Sequence, residues 1–496
     1  MAGKPQHDLQ KAHRRRKNRE SFLETVESIV VAFVLAFIFR AFIVEAFVIP
    51  TGSMGPTLYG QHAEFTCTDC GYRFAVSVNG RLSSRPICPN CGLTQAMPPQ
   101  TPLYSGDRIL VLKFLYDFAE PDRWDVIVFR NPNQPEENYI KRLVGLPGET
   151  VELVRGDVTI NGQVIPKTES AQDALWMLVH DTRYLPTRSD WHRRWAAEKA
   201  WKLEGPGYVL ARAPPSGKTA WLAYHHRNAR GWRDNIRDYY AYNSGAGGWR
   251  FGQNVCTDLH LATCATAGSA DAVLVVEMRA YEDRLRFVLP AKGSEARTEI
   301  RLNGQTIAWT EGGVLPVGRE VRVEVANVDR TLQLLVDGDR VTTEHQTPVT
   351  RAGDPTYAPT ALAPEAYNRY ERPPDPNQPP PLAYDLRVGA TGGLIHLAYL
   401  KVDRDVYYTN ERLQGPTGMV PGHATEGNPF ELRADEFFVC GDNSPKSSDA
   451  RLWPLRRPVV PRRNLVGKAF FVYWPAAGTR WHIPLAPDPT GWRLVH

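Results

Sequence analysis

From about residue 107 the chain alternates apolar and polar positions, in "DRILVLKFLYDF" (107–118), "WDVIVFR" (124–130), "NYIKRLVGLPG" (138–148) and "ETVELVRGDVTINGQVI" (149–165). A period of two turns one face of a strand to a core and the other to solvent. Asn161-Gly162 supplies the two positions of positive φ that a tight hairpin requires. These segments predict an antiparallel sheet. Across 168–412 the chain grows rich in Trp, Tyr and Arg, and a second strand series follows: "DAVLVVEMRA", "LRFVL", "EIRLNGQTIAW" and "EVRVEVANVDRTLQLLVDGDRVTTE". With Asn303-Gly304 and Asp337-Gly338 as further hairpin turns, this series predicts a sandwich of many short strands. "RPPDPNQPPPLAYD" (372–385) predicts an exposed extended loop, and "GLIHLAYLKVDRDVYYT" (393–409) a return to strand. From about 430 the first style resumes in "ADEFFVCGDNSPKSSDARLWP" and "NLVGKAFFVYWP". The expectation is a mainly β chain in which one antiparallel β domain, residues 47–167 and 413–496, is interrupted by a β-sandwich insert at 168–412.

The N-terminal region has a different pattern. "SFLETVESIVVAFVLAFIFRAFIVEAFVIP" is uninterrupted apolar from Ile29 to Phe39, with Glu24, Glu27, Arg40 and Glu45 on its flanks. A bilayer span needs roughly 20 predominantly apolar residues, so residues 22–46 serve as a transmembrane helix if the flanking charges lie at the interfaces. The basic arm "KAHRRRKNR" within residues 1–21 then stays cytoplasmic, and the rest of the chain lies outside. A cleaved signal peptide is the competing reading; acidic flanks and the lack of a small-x-small site favour an uncleaved anchor. At 496 residues, 42% hydrophobic and 23% charged, the chain holds a sizeable core. Its net charge of +5 owes much to the basic arm, which points to a lipid bilayer and away from nucleic acid.

Seven cysteines fall into three groups. Cys67, Cys70, Cys88 and Cys91 form two Cys-x-x-Cys pairs, "CTDCGYRF" and "CPNCG", with 17 residues between Cys70 and Cys88. This is zinc-ribbon spacing, in an element at 65–95. Four thiolates leave zinc no open position, so such an ion is structural. Two disulfides are the alternative in an oxidising location. Cys256 and Cys264 in "CTDLHLATC" could pair, and Cys440 reads as a buried free thiol.

The stretch "VIPTGSMGPTLYG" (48–60) follows the apolar segment and carries Ser53 between small and rigid neighbours. Pro50 and Gly52 combine a fixed φ with a permissive one, which can expose a hydroxyl beside the membrane, and Met54 and Pro56 provide a floor and a turn. A Ser-His-Asp arrangement finds little support, since none of the thirteen histidines, His180, His225, His226 and His396 included, sits in a segment like the serine's. A Ser-Lys pair needs a lysine whose pKa is lowered from about 10.4 by burial. Lys141, in the strand-like "NYIKRLVGLPG" with Leu143 on its own face and Ile140 and Arg142 on the other, is the best placed.

Taken in order, "IPTGSMGPTL", Gly106-Asp107, "YIKRLVGLPGE" and "GDNSPKSSDAR" resemble the sequence boxes of bacterial signal peptidase I, over residues 22–60, 104–165 and 430–475. The resemblance implies a serine endopeptidase that needs no cofactor for catalysis and removes signal peptides from preproteins at the outer face of the plasma membrane. The expected cut follows small residues at the first and third positions before the bond. Ser53 matches the family's nucleophile and Lys141 its general base. Thr51 stands where the family places an oxyanion-binding hydroxyl, often that of a serine. Ser447 matches a lysine-orienting serine, with Ser448 as a competing hydroxyl, and Asp449 and Arg451 match a bracing pair. Singly, each of these residues is as well read as a turn serine, a surface lysine or a surface ion pair; together the boxes keep the family's order. The insert's "EVRVEVANVDRTLQLLVDGDRV" resembles the hairpins of concanavalin or laminin-G sandwiches, which leaves a glycan or protein ligand, or a plain spacer, open. A non-catalytic surface binding protein and a processor of one dedicated substrate are the alternatives.

Overall fold

The computed structural model describes residues 24–35, 37, 43–78, 85–96, 101–189, 191–227, 233–246, 252–341, 343–350, 352–371, 378, 380–410, 412–415, 418–474 and 492–496. The basic arm and residues 22, 23, 36 and 38–42 of the expected anchor lie outside them. Residues 24–35 are helical and exposed, and among the described residues no helix is long and apolar enough to cross a membrane. Residues 44–46, expected in that helix, instead belong to the strand Val44–Val48, which pairs antiparallel with Arg108–Leu112. Pairing satisfies the backbone of this apolar stretch with a neighbouring strand rather than within a helix.

The strands that frame the site form an eight-stranded sheet. Its order is Val44–Val48, Arg108–Leu112, Leu465–Trp474, Val126–Arg130, Asn138–Gly145, Glu436–Cys440 and Val460–Pro461, with Arg493–Leu494 on the Leu465–Trp474 strand. The two halves of the predicted domain therefore interleave in one sheet. A four-stranded sheet, Gln163–Val164, Asp157–Ile160, Thr150–Val154 and Phe430–Glu431, adjoins it, and a three-stranded ribbon, Arg73–Ser77, His62–Thr66 and Leu103–Tyr104, carries the cysteine element. The segment expected as one strand over 107–118 ends at Leu112 and continues as the short helix Leu115–Phe118.

Between these halves stands a sandwich of a nine-stranded and an eight-stranded sheet, built from Met177–Asp181 through Lys401–Arg404, with the largest hydrophobic core of the molecule between them. The Asn-Gly and Asp-Gly turns close hairpins as the sequence predicts: Asn161-Gly162, Asn303-Gly304 and Asp337-Gly338 all have φ between 50° and 87°. Asp329 and Arg330 close another hairpin with φ of 46° and 59° and no glycine. Tyr384 and Asp385, expected in the Pro-rich loop, begin the strand Tyr384–Thr391, whereas 372–377 and 379 lie outside the described residues.

The Cys256–Cys264 pairing that the sequence allows is not made, and both thiols are free. Cys264 lies within the strand Leu259–Ala267. Five extended residues from Leu259 already carry the chain about 17 Å, beyond the separation a disulfide tolerates. Cys440 is buried and free, and burial pushes its thiol pKa well up.

Candidate active site

Three close approaches shape the turn that holds Ser53. Ile49 donates its N–H to Asp107 O (2.8 Å), Asp107 donates to Tyr59 O (2.8 Å), and Tyr59 donates to Asp107 Oδ2 (2.9 Å). A side chain at Gly106 would lie 1.6 Å from Ile49 O, and one at Gly60 would lie 2.2 Å from the Thr51 carbonyl carbon. Only glycine admits that contact, which pins both ends of the loop and lets Gly52–Met54 close as a 3-10 turn with Ser53 buried. Gly441 approaches from the other side, its missing Cβ 2.5 Å from Ser53 O and 2.2 Å from Ser447 Oγ.

Lys141 reaches this turn from the Asn138–Gly145 strand. Its Nζ donates to Ser53 Oγ (2.9 Å) and to the Ile140 carbonyl (2.8 Å), and it is 4% exposed. Burial pulls its pKa down to about 8, against the opposing pull of Asp449 and Asp442. A lysine in this state gives a substantial neutral fraction near physiological pH, and a neutral amine 2.9 Å from a hydroxyl has the geometry of a base.

Around this pair the polar groups are buried and paired. Asp449 and Arg451, both fully buried, form a bidentate ion pair, and Asp449 Oδ2 accepts the Gly441 N–H (2.9 Å). Arg451 also donates to Thr409 O and to Ser444 Oγ and O, tying the last box to the chain that leaves the insert. Ser447 is buried while Ser448 is exposed. Among the described residues Ser447 Oγ has no hydrogen-bond partner, and none joins it to Lys141. Thr51 is exposed at the mouth of the turn.

Sequence reasoning placed Arg142 on the face opposite Lys141 but missed its role. Arg142 is fully buried and grips Asp442 through Nε (2.7 Å) and Nη2 (2.7 Å), while Thr57 Oγ1 donates to Asp442 Oδ2 (2.5 Å). This ion pair ties the lysine strand, the serine loop and the last box together. Asn443 likewise donates its N–H to Ser53 O (3.0 Å) and Nδ2 to Gly52 O (2.8 Å). The "GDN" motif was visible, but as turn chemistry it does not reveal a partner about 390 residues away.

The four cysteines converge. Gly71 and Gly92, at φ of 74° and 76°, return their N–H groups to Cys67 O and Cys88 O, which folds each pair into a knuckle. Sγ atoms lie 3.6 Å apart for Cys67 and Cys91 and 3.7 Å for Cys70 and Cys88, and all four lie within 4.8 Å of one another as free thiols. Bonds of about 2.3 Å to a tetrahedral zinc imply sulfur separations of roughly 3.8 Å, so this donor set fits such an ion. Gln95 Nε2 donates to Cys67 Sγ (3.2 Å), a contact suited to a thiolate. The element docks on the insert, with Asn90 bonded to Tyr184 O and Asp181 N, and Trp191 Nε1 to Cys91 O.

Residues 93–190 and 335–474 match the family described as signal peptidase, peptidase S26. The first segment contains Lys141 and the second Asp442, Ser447, Asp449 and Arg451; Ser53 precedes both. Similar curated proteins include signal peptidase I of Rickettsia rickettsii (strain Sheila Smith), 35% identical over 27% of this chain and 41% of the relative. Signal peptidase I of Rickettsia bellii (strain OSU 85-389) is 28% identical over 31% of this chain and 44% of the relative. The chain thus spans less than half the length of these relatives. The resemblance to signal peptidase I holds in sequence. Among solved structures, the carbohydrate binding module CBM66 from Bacillus subtilis is 8% identical over 42% of this chain and 95% of its own, with a TM-score of 0.25. The calcium-bound exoplasmic/lumenal domain of VIP36 is 10% identical over 45% of this chain and 90% of its own, with a TM-score of 0.27.

Proposed function

We propose, from the premise that this chain is related to bacterial signal peptidase I, that it is a membrane-anchored serine endopeptidase that removes N-terminal signal peptides from exported preproteins. The observation that carries this reading is the buried Lys141 amine 2.9 Å from Ser53 Oγ. In the neutral form Lys141 takes the Ser53 proton as Oγ attacks the scissile carbonyl. The amine then returns that proton to the leaving amino group, and next takes one from the water that releases the acyl chain. The Ser53 N–H and the Thr51 hydroxyl stabilise the oxyanion, for which the exposed position of Thr51 beside Ser53 is suited. Ser447, buried with an unpaired hydroxyl beside Gly441, orients the lysine once substrate fills the site.

Anchoring rests on the helical residues 24–35, where Ile29, Val30, Val31, Phe33, Val34 and Leu35 are all at least 50% exposed just ahead of the first strand. Such a run calls for an apolar surround. In this reading the catalytic sheet sits at the bilayer, on the extracytoplasmic side of the bacterial inner membrane. The four-cysteine element holds one structural zinc, which the sulfur spacing supports.

The test is cleavage of a model preprotein by the detergent-solubilised chain, with the product N-terminus sequenced. Wild type is expected to cut after a small residue, and Ser53→Ala and Lys141→Ala each to lower kcat by at least about 10³-fold. Cleavage that survives Ser53→Ala would remove the serine from the mechanism.

A further inference from the structure

The insert reaches back to the serine. Its segment "YYAYNSGA" (239–246) ends in the 3-10 turn Ala241–Ala246, which packs beside the Ser53 loop. Tyr242 packs against Gly52, where a Cβ would meet its Cε1 at 2.4 Å, and its Oη accepts the Gly60 N–H (3.0 Å). Asn243, 3% exposed, pairs with Asn443, 1% exposed, through two reciprocal bonds. Asn243 Nδ2 donates to Asn443 Oδ1 (2.7 Å), and Asn443 Nδ2 donates to Asn243 Oδ1 (2.8 Å). The second hydrogen on Asn443 Nδ2 goes to Gly52 O (2.8 Å), and the Asn443 backbone N–H goes to Ser53 O.

The chemistry fixes how this amide stands. Gly52 O can only accept, so the Asn443 nitrogen must face it, which leaves Asn443 Oδ1 in need of a donor. Asn243 supplies that donor and takes the remaining hydrogen. A buried amide with both ends satisfied is held at both; with Oδ1 orphaned, Asn443 is held only through Gly52 O and leaves a buried acceptor unpaired. Asn243 lies between the two segments that match the signal peptidase family, at 93–190 and 335–474, and belongs to neither.

We infer that Asn243 is a positioning residue of the peptidase site: through its paired bonds with Asn443 it holds the carbonyls of Gly52 and Ser53, and so keeps the Ser53 hydroxyl aimed at Lys141. The insert is then part of the site. This rests on the Ser53–Lys141 reading given above.

The experiment measures kcat and KM of the full chain in detergent on a synthetic peptide spanning a signal-peptide cleavage site, with Ala at the first and third positions before the cut. Wild type is compared with Asn243→Ala and Asn243→Asp, each with its melting temperature. Asn243→Ala removes both bonds and is expected to lower kcat about 10²-fold with KM within about twofold, the pattern of a lost transition-state interaction. The midpoint of its pH profile should stay with wild type, because the burial and the neighbouring charges that act on Lys141 do not change. Asn243→Asp keeps the outline. Protonated, its carboxyl still donates to Asn443 Oδ1; ionised, it presents a lone pair there. Its kcat relative to wild type should therefore fall as pH rises through the titration of the new carboxyl, a dependence that a purely structural role would not produce. If the alanine variant does not fold, the aspartate variant decides. Wild-type kcat in Asn243→Ala, or an aspartate-to-wild-type ratio flat with pH, overturns the inference. A wild-type chain that leaves the peptide uncut overturns the peptidase reading itself.

Discussion

An ammonium group in water keeps its proton at neutral pH, and what changes this for Lys141 is the loss of water around it. Burial lowers its pKa from the ordinary 10.5 to about 8, so peptidase activity should rise with pH and reach half its plateau near 8. A pH profile of kcat on a model preprotein reads this directly. The same shift has a stability cost. The unfolded chain holds this proton up to about 10.5 and the folded chain releases it near 8, so stability is lowest below 8 and recovers as pH rises between the two. Lys141→Met should therefore raise the melting temperature at pH 6, by the equivalent of roughly 3 kcal/mol at most, and the gain should shrink to about 1 kcal/mol by pH 10 and disappear only above the unfolded value of 10.5. Ser53 and Lys141 could be picked out from the residues around them and from the family boxes. Arg142 could not: alternation puts it on the face away from Lys141, and nothing local says that this face is also buried, against Asp442. Asn243 was less visible still, because an asparagine in "AYNSG" reads as a turn former and its partner lies 200 residues away.

The cysteine element shows what spacing alone can determine. Two Cys-x-x-Cys pairs, each followed by glycine, give two knuckles, and the structure brings their sulfurs to 3.6–3.7 Å. Elemental analysis should find one zinc per chain, and a strong chelator should lower the melting temperature. Cys88→Ser should do the same, because it removes one of four ligands. The loss should extend to the insert segment that donates to Cys91 O, detectable as faster amide exchange around Trp191. The strand Val44–Val48 shows the opposite case. "VEAFV" alternates well enough to be a strand, but it adjoins a long apolar run, and hydropathy favours extending the helix over it. Pairing with Arg108–Leu112 decides the matter, and that is a long-range contact.

At the scale of the whole molecule, the joint between the four-stranded sheet and the sandwich is electrostatic. Lys167, 2% exposed at its side chain, bonds Asp329 (2.7 Å) and Asp405 (2.6 Å), with Asp157 and Asp258 close by. Burial lowers the lysine pKa, but Asp329 and Asp405 outweigh it and raise it overall. Burial and mutual repulsion raise Asp157, Asp258 and Asp329, Asp258 to about 7. Lys167→Met would leave these carboxylates without their cation and should cost about 3–5 kcal/mol at pH 8. A raised acid binds its proton more tightly when folded, so the loss should shrink as pH falls from 8 toward 5, which melting curves at the two values would show. The sequence predicted two β units and their hairpins, because alternation and Asn-Gly turns are local. It did not predict this joint, since its residues come from four separate stretches. One consequence concerns time. Asn443 meets the serine turn across 391 positions, and Asn243 sits midway along that span. As a ribosome makes the chain from its N-terminus, Ser53 emerges early, but the groups that set its geometry come last. On the proposed reading, the site stays incomplete until residue 443 has been made, and the Ser53 hydroxyl lacks its support in the meantime.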